Sequence, residues 1–190
     1  MLLSGSTIYA GDKEPYIDKG TFTAGVGYGF PNMNGWSNSP VSIGAIIVAG
    51  DYQLSKRFNI GLQYNYNYTE SGMRNYFSTI DKATIQYFNN ERWNTFSVNS
   101  AYCYLNRGKL CLGSGLGLGM GLANGHSGRN TVKDPSIKEY NYTYSVFYIM
   151  LRLIDVQVKI KDNLSATGCL GFGSDGLVTA GVQYTFRRRN

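Results

Sequence analysis

The stretch Leu110–Leu122, LCLGSGLGLGMGL, leaves a chain few ways to fold. Leu110, Leu112, Leu116, Leu118, Met120 and Leu122 share one parity, while Cys111, Gly113, Gly115, Gly117, Gly119 and Gly121 share the other. Side chains of a strand point alternately to opposite faces, so this is a strand with one greasy face and one almost bare face. A helix would spread the leucines around its whole circumference, and each interior glycine would cost it roughly 1 kcal/mol. What the chain becomes then depends on which of the two faces meets water.

The same period of two recurs along the sequence. Phe22, Ala24, Val26, Tyr28 and Phe30 alternate with Thr23, Gly25, Gly27 and Gly29, and the turn-rich segment 31–40 follows. The next strand, about Val41 to Leu54, is apolar on both parities around Ile46–Val48, and a bulge would reconcile its two halves. After SKRFN, Ile60, Leu62, Tyr64, Tyr66 and Tyr68 alternate with Gly61, Gln63, Asn65 and Asn67. A long connection is expected over 69–94, since it shows no clear period. Phe96, Val98, Tyr102 and Tyr104 oppose Ser97, Asn99, Ala101 and Cys103; a three-residue turn, Asn106-Arg107-Gly108, leads into the leucine and glycine strand. A loop is expected over 123–140, then a strand from about Tyr142 to Ile160 and a second three-residue turn, Lys161-Asp162-Asn163. Leu164–Phe172 and Val178–Phe186 complete eight strands, joined through GSDG. No long crossover interrupts them, so the spacing predicts an up-and-down antiparallel sheet.

The greasy face carries roughly twice the about twelve side chains that a packed eight-stranded core holds, so it cannot be the inside of a small barrel. The outside of a soluble sandwich should carry Lys and Glu. Here the other face is Gly, Ser, Thr, Asn and Gln, and only 16% of residues are charged, against about 25% in ordinary soluble domains. The sequence thus predicts an all-β, closed eight-stranded transmembrane barrel with its apolar face outward and a small polar lumen. Only closure satisfies every edge hydrogen bond in hydrocarbon. No apolar run approaches the about 18 residues of a transmembrane helix. Tyr28, Tyr66, Tyr68, Tyr102, Tyr104, Tyr142, Tyr144 and Tyr184 fall toward strand ends, where aromatic girdles lie.

Eight such strands, the turns SKRFN, NRG and KDN, and the closing strand LVTAGVQYTF resemble the small bacterial outer-membrane barrels of the outer membrane protein A and X type, in the version common in Bacteroidetes. The resemblance covers about 20–186. It implies an outer-membrane location in a Gram-negative cell, with short turns in the periplasm and longer loops outside. It also implies contact with outer-membrane lipid and lipopolysaccharide. Members usually end at the closing aromatic residue, whereas here Arg187, Arg188, Arg189 and Asn190 follow Phe186. Residues 1–19 read as a lead-in, with Met1–Ala10 open between a residual signal peptide and an unstructured start.

Candidate chemistry is sparse. A charge facing lipid near the midplane costs about 2–4 kcal/mol for Arg, so Arg152 is expected to point inward. That requires a bulge before the Ile154, Val156, Val158 face. Asp51, Arg152 and Asp155 are then candidates for a lumen ion pair, against separate hydration of each charge. The inner glycines either leave a water-filled cavity or give room to bulky inward side chains. Cys103 and Cys111 are expected opposite one another, within reach of a periplasmic disulfide, which leaves Cys169. No CxxC spacing points to a metal, and a GxGxxG reading of the glycines fails because no helix follows, so no cofactor is expected. The net charge of +6 sits at turns and the C-terminus, which does not mark a nucleic-acid surface. His126, Ser127 and Glu139 invite comparison with outer-membrane lipid A deacylases, which are eight-stranded barrels with Ser, His and Glu. In those enzymes Ser and His lie two apart on one face; here they are adjacent in a polar segment. The expectation is a monomeric, non-enzymatic barrel with a structural or surface-binding role through 31–40, 69–94 and 123–140, the ligand unidentified. The alternatives are a narrow pore and, more remotely, a lipid-modifying esterase.

Overall fold

The alternating segments all form strands in the computed structural model, which describes residues 17–30, 41–70, 74–78, 83–130, 136–173 and 176–186. The strands are β1 Phe22–Phe30, β2 Val41–Gln53, β3 Phe58–Glu70, β4 Arg74–Ser78, β5 Ala83–Arg107, β6 Leu110–Arg129, β7 Lys138–Lys161, β8 Leu164–Phe172 and β9 Val178–Phe186. Eight of them form a closed antiparallel ring in the order β1, β2, β3, β5, β6, β7, β8, β9. The ring closes where β1 pairs with β9, from Phe22↔Phe186 to Phe30↔Val178. Among the described residues, β4 pairs with the N-terminal end of β5 alone, from Arg74↔Tyr87 to Ser78↔Ala83.

The apolar parity faces out. Val26, Leu62, Leu118, Phe147 and Ile149 are all exposed, whereas Thr23, Gln63, Asn65, Asn67, Thr95, Ser97, Asn99, Gln157 and Gln183 are buried in the lumen. The expected bulge in β2 lies between Ile43 and Ile46; Ile46 and Val48 turn out and Ile47 turns in. β7 is bulged between Arg152 and Ile154. Leu153 and Ile154 are consecutive and both exposed. A single extra residue exchanges the faces of everything on one side of it. Arg152, Met150, Tyr148, Tyr144 and Tyr142 therefore share the inner face, and the expected placement of Tyr142 and Tyr144 in an outward girdle is corrected.

Two other expectations change. The connection over 69–94 is largely strand: β3 runs to Glu70, β4 follows, and β5 begins at Ala83. Similarly, β6 continues to Arg129 and β7 starts at Lys138, so most of 123–140 is paired sheet. The turns between β5 and β6 and between β7 and β8 hold two residues, Gly108-Lys109 and Asp162-Asn163, instead of three. Parity is restored by bulges beside them, between Cys103 and Leu105 and between Lys159 and Lys161. Gly108, at φ 56°, supplies the left-handed residue. Segment 31–40, residues 1–16 and the tail 187–190 lie outside the described residues.

About 9–11 residues are enough for one membrane-spanning strand. β1, β8 and β9 have 9 residues each, while β5 has 25, β6 has 20 and β7 has 24. The long strands stand above the rest of the ring as a wall, paired from Tyr87↔Arg129 and Arg129↔Lys138 downward. Inside, the β6 glycines are covered by their neighbours. A Cβ on Gly119 would stand 2.5 Å from the Tyr148 ring and 2.5 Å from the Phe96 carbonyl oxygen. Gly119→Val should therefore cost about 1–3 kcal/mol through overpacking. The check is the urea midpoint of refolded protein, which should fall for Gly119→Val and stay close to wild type for the outward Leu118→Val.

Candidate functional site

Two clusters of polar chemistry lie on the inner face, one in the lumen and one at the mouth. The lumen cluster surrounds a cavity of about 80 Å³ lined by Asp51, Gln63, Arg152, Asp155, Gln157 and Gln183, with Gly25 and Gly27 on its β1 side. The glycines thus divide: those of β1 line the cavity, and those of β6 are packed over. Asp51, Arg152 and Asp155 all face this one space. Arg152 donates through Nη2 to Gln63 Oε1, and its Nη1 lies 3.9 Å from Asp155 Oδ2. Gln183 Nε2 donates to Asp51 Oδ2 at 3.3 Å and to Thr23 Oγ1. The Asp51 carboxylate rests against the Cα of Gly61, in the space a side chain would fill.

Gln63 ties the lumen together. Its Oε1 accepts from Arg152 and from Asn99 Nδ2 at 3.1 Å, and its Nε2 donates to Asn65 Oδ1 at 2.8 Å. The sequence placed Gln63, Asn65 and Asn99 on the inner parity without showing that Gln63 would receive the guanidinium. Partners across a barrel follow from strand tilt and shear, which alternation does not encode.

The mouth cluster sits on the inner face of the wall, beyond the last outward apolar residues. Glu91 is its centre. Its Oε1 accepts from Asn89 Nδ2 at 3.1 Å and from the Tyr142 hydroxyl at 2.5 Å, and its Oε2 accepts from Trp93 Nε1 at 3.0 Å. Trp93 is buried and meets Tyr144 edge to face at 5.4 Å, and Tyr142 stacks on Tyr144 at 5.9 Å. Burial first, then the hydrogen bond to Glu91 and its negative charge, push the Tyr142 hydroxyl well above the ordinary tyrosine value of 10.0. Asn89, Glu91 and Trp93 were missed as a group, although they continue the parity of Thr95, Ser97 and Asn99.

The other candidates separate. Tyr28, Tyr102, Tyr104 and Tyr184 are exposed on the outward face, and Tyr66 and Tyr68 are half-buried there. Cys103 and Cys111 are joined by a disulfide, with Cα atoms 6.3 Å apart. The bulge offsets them, with Cys103 opposite Gly113 and Cys111 opposite Asn106, instead of directly facing each other. Cys169 lies outside that disulfide and lines the lumen cavity. His126 and Ser127 are on strand β6, not in a loop. His126 Nε2 lies 3.4 Å from Glu139 Oε2, while Ser127 Oγ donates to the Phe88 carbonyl at 2.9 Å. Adjacent strand residues point to opposite faces, so the serine–histidine contact that activates a nucleophile is not made.

No family model matches the chain, and no curated protein matches it. Among solved structures, it is similar to Ail, the attachment invasion locus protein of Yersinia pestis, at 11% identity and a TM-score of 0.48, over 88% of this chain and 99% of that one. A second structure of Ail, in complex with the heparin analogue sucrose octasulfate, aligns at 12% identity with a TM-score of 0.47, over 88% and 99%. The N-terminal β-barrel domain of Pseudomonas aeruginosa OprF aligns at 11% identity with a TM-score of 0.43, over 90% and 100%.

The mouth network has a pH signature. In the unfolded chain Tyr142 ionises near 10, about the reference value. Because its folded value is higher, its contribution to stability is complete below that pH and is lost as pH rises toward the folded value. Tyr142→Phe should blunt the loss of stability above about pH 10. Glu91→Gln should let one additional tyrosine ionise earlier in the folded protein, read by ultraviolet difference absorbance.

Proposed function

We propose that the chain is a non-enzymatic, non-conducting barrel of a bacterial outer membrane, which presents its β5–β7 wall outside the cell as a binding surface. The observation that carries this reading is a closed ring with apolar side chains outside and a packed polar lumen. In water that exterior would be one continuous apolar patch, far beyond what soluble monomers expose. In a bilayer it is the expected surface, since closure leaves no unpaired strand edge in hydrocarbon.

The lumen favours a plug over a pore. Asn65 and Asn67 are 0% exposed, and Thr95 and Met150 are each 1% exposed. A lumen cavity of about 80 Å³ is bounded by Arg152 and two carboxylates. In this reading Arg152 and Asp155 of β7 face Asp51 of β2 across one small cavity and plug it.

The wall supports the binding role. β7 pairs with β6 over its length down from Lys138, but its pairing with β8 begins only at Leu151. Among the described residues, Glu139–Ile149 therefore has no strand on its other side, and such an edge is a template for an added strand.

Refolding into lipid vesicles tests the reading. The protein should migrate as a compact band that shifts on boiling, give a strand-rich circular dichroism spectrum, and pass no steady current in planar bilayers. Arg152→Ala should open small current steps. Folding to a soluble monomer without detergent would overturn the membrane reading, and steady wild-type current would favour the pore. On the wall, alternate amides of Glu139–Ile149 should exchange rapidly with solvent, and a peptide partner should protect them.

A further inference from the structure

The outer face of the wall changes character abruptly where the apolar belt ends. On β5 the outward series runs Phe96, Asn94, Arg92, Asn90; on β6 it runs Leu122, Asn124, His126; on β7 it runs Phe147, Ser145, Thr143, Asn141. Pairing sets these residues in rows across three strands: Arg92, Asn124 and Thr143 form one, and Asn90, His126 and Asn141 the next. Together with Tyr68 they line a surface groove of about 470 Å³.

The groove is rich in amides and hydroxyls. Thr143 Oγ1 donates to Asn124 Oδ1 at 3.0 Å, so the Asn124 oxygen is engaged while its NH2 carries two further donors. The His126 ring meets Asn141 Oδ1 at 2.9 Å through Nδ1. The formal charges do not add to an anion site: Arg92 stands opposite Tyr68, whose hydroxyl donates to Glu70 at 3.2 Å, and His126 stands 3.4 Å from Glu139. Amides and hydroxyls beside a half-exposed tyrosine ring suit a ligand that both donates and accepts many neutral hydrogen bonds and offers a flat apolar face. A sugar ring is such a ligand.

Position identifies its carrier. The first row lies two residues beyond Leu122 along β6, about 7 Å at the strand rise, and so falls at headgroup depth if the belt spans the bilayer. Resting on the membrane reading above, we propose that the Arg92–Asn124–Thr143 face seats the neutral sugar headgroup of a membrane glycolipid. The contacts are hydrogen bonds to sugar hydroxyls, with the acyl chains against the belt around Leu122 and Phe147.

The test uses the refolded protein in vesicles of phosphatidylcholine containing a diglucosyl diacylglycerol, with phosphatidylglycerol in its place as a second arm. Retained lipid is counted by native mass spectrometry. Wild type should enrich the glycolipid over phosphatidylglycerol, and Asn124→Leu/Thr143→Val should lose that enrichment by about fivefold or more, since each neutral hydrogen bond lost is worth a factor of roughly 2–10. Ser127→Ala, on the other face, should leave it unchanged. Equal enrichment of both lipids, or full enrichment by the double variant, overturns the sugar seat, and so does equally tight binding of the free disaccharide. Boiling-dependent migration in the same vesicles reports insertion separately: a barrel that inserts without discriminating refutes the seat alone, whereas failure to insert refutes the membrane reading with it.

Discussion

Backbone hydrogen bonding is the constraint on which the rest depends. A strand in hydrocarbon has no water to satisfy its edge, and each bare group costs several kcal/mol. Pairing of β1 with β9 removes the last two edges of the ring. Once the ring is closed, the alternation of the strands leaves only two destinations for side chains, outside and lumen, and eight strands make the lumen narrow. Asn65, Asn67, Thr95 and Met150 fill it from β3, β5 and β7. β6 lies between two of these strands and has little room of its own, which is a physical reason for its bare face. Its glycines are the complement of Tyr148, Trp93 and Tyr142, not the lining of a channel.

One inserted residue in β7 controls the chemistry of both inner clusters. Arg152 is legible as an inward residue because a guanidinium facing lipid is costly, and a bulge at Leu153–Ile154 follows from that alone. The same bulge must invert every residue upstream of it. Tyr142 and Tyr144 look like girdle residues only when the parity of Val156 and Val158 is carried through the bulge unchanged; carried correctly, it places them at the mouth with Glu91 and Trp93. Burial argues the same way in β2, where Ile46 and Ile47 cannot both face lipid on an unbulged strand.

The barrel was legible because an apolar exterior and a cramped polar lumen impose opposite preferences on alternate residues. Beyond the apolar belt that contrast disappears. Both faces of the wall are polar there, so Asn89–Asn94 and Asn124–Arg129 lose their period in hydrophobicity while keeping their hydrogen-bonded register. Segments 69–94 and 123–140 accordingly read as loops. The hairpin turns were misjudged for a related reason: a three-residue loop and a two-residue turn beside a bulge restore the same facing, and the residues NRG and KDN do not distinguish them.

The two faces of the wall carry different burdens. On the inner face, the Glu91 carboxylate is held by three neutral donors and Tyr142 and Trp93 are locked against Tyr144, so the strands are stiffened where they lose the support of a complete ring. Rigid groups lose less entropy when a ligand arrives, which raises affinity without adding contacts. On the proposed binding role, the outer face and the open edge of β7 are left to make those contacts. A wall whose inner side is internally satisfied can present its polar outer side without collapsing onto itself, and on that proposal the mouth network serves binding although its carboxylate faces away from the proposed binding surface.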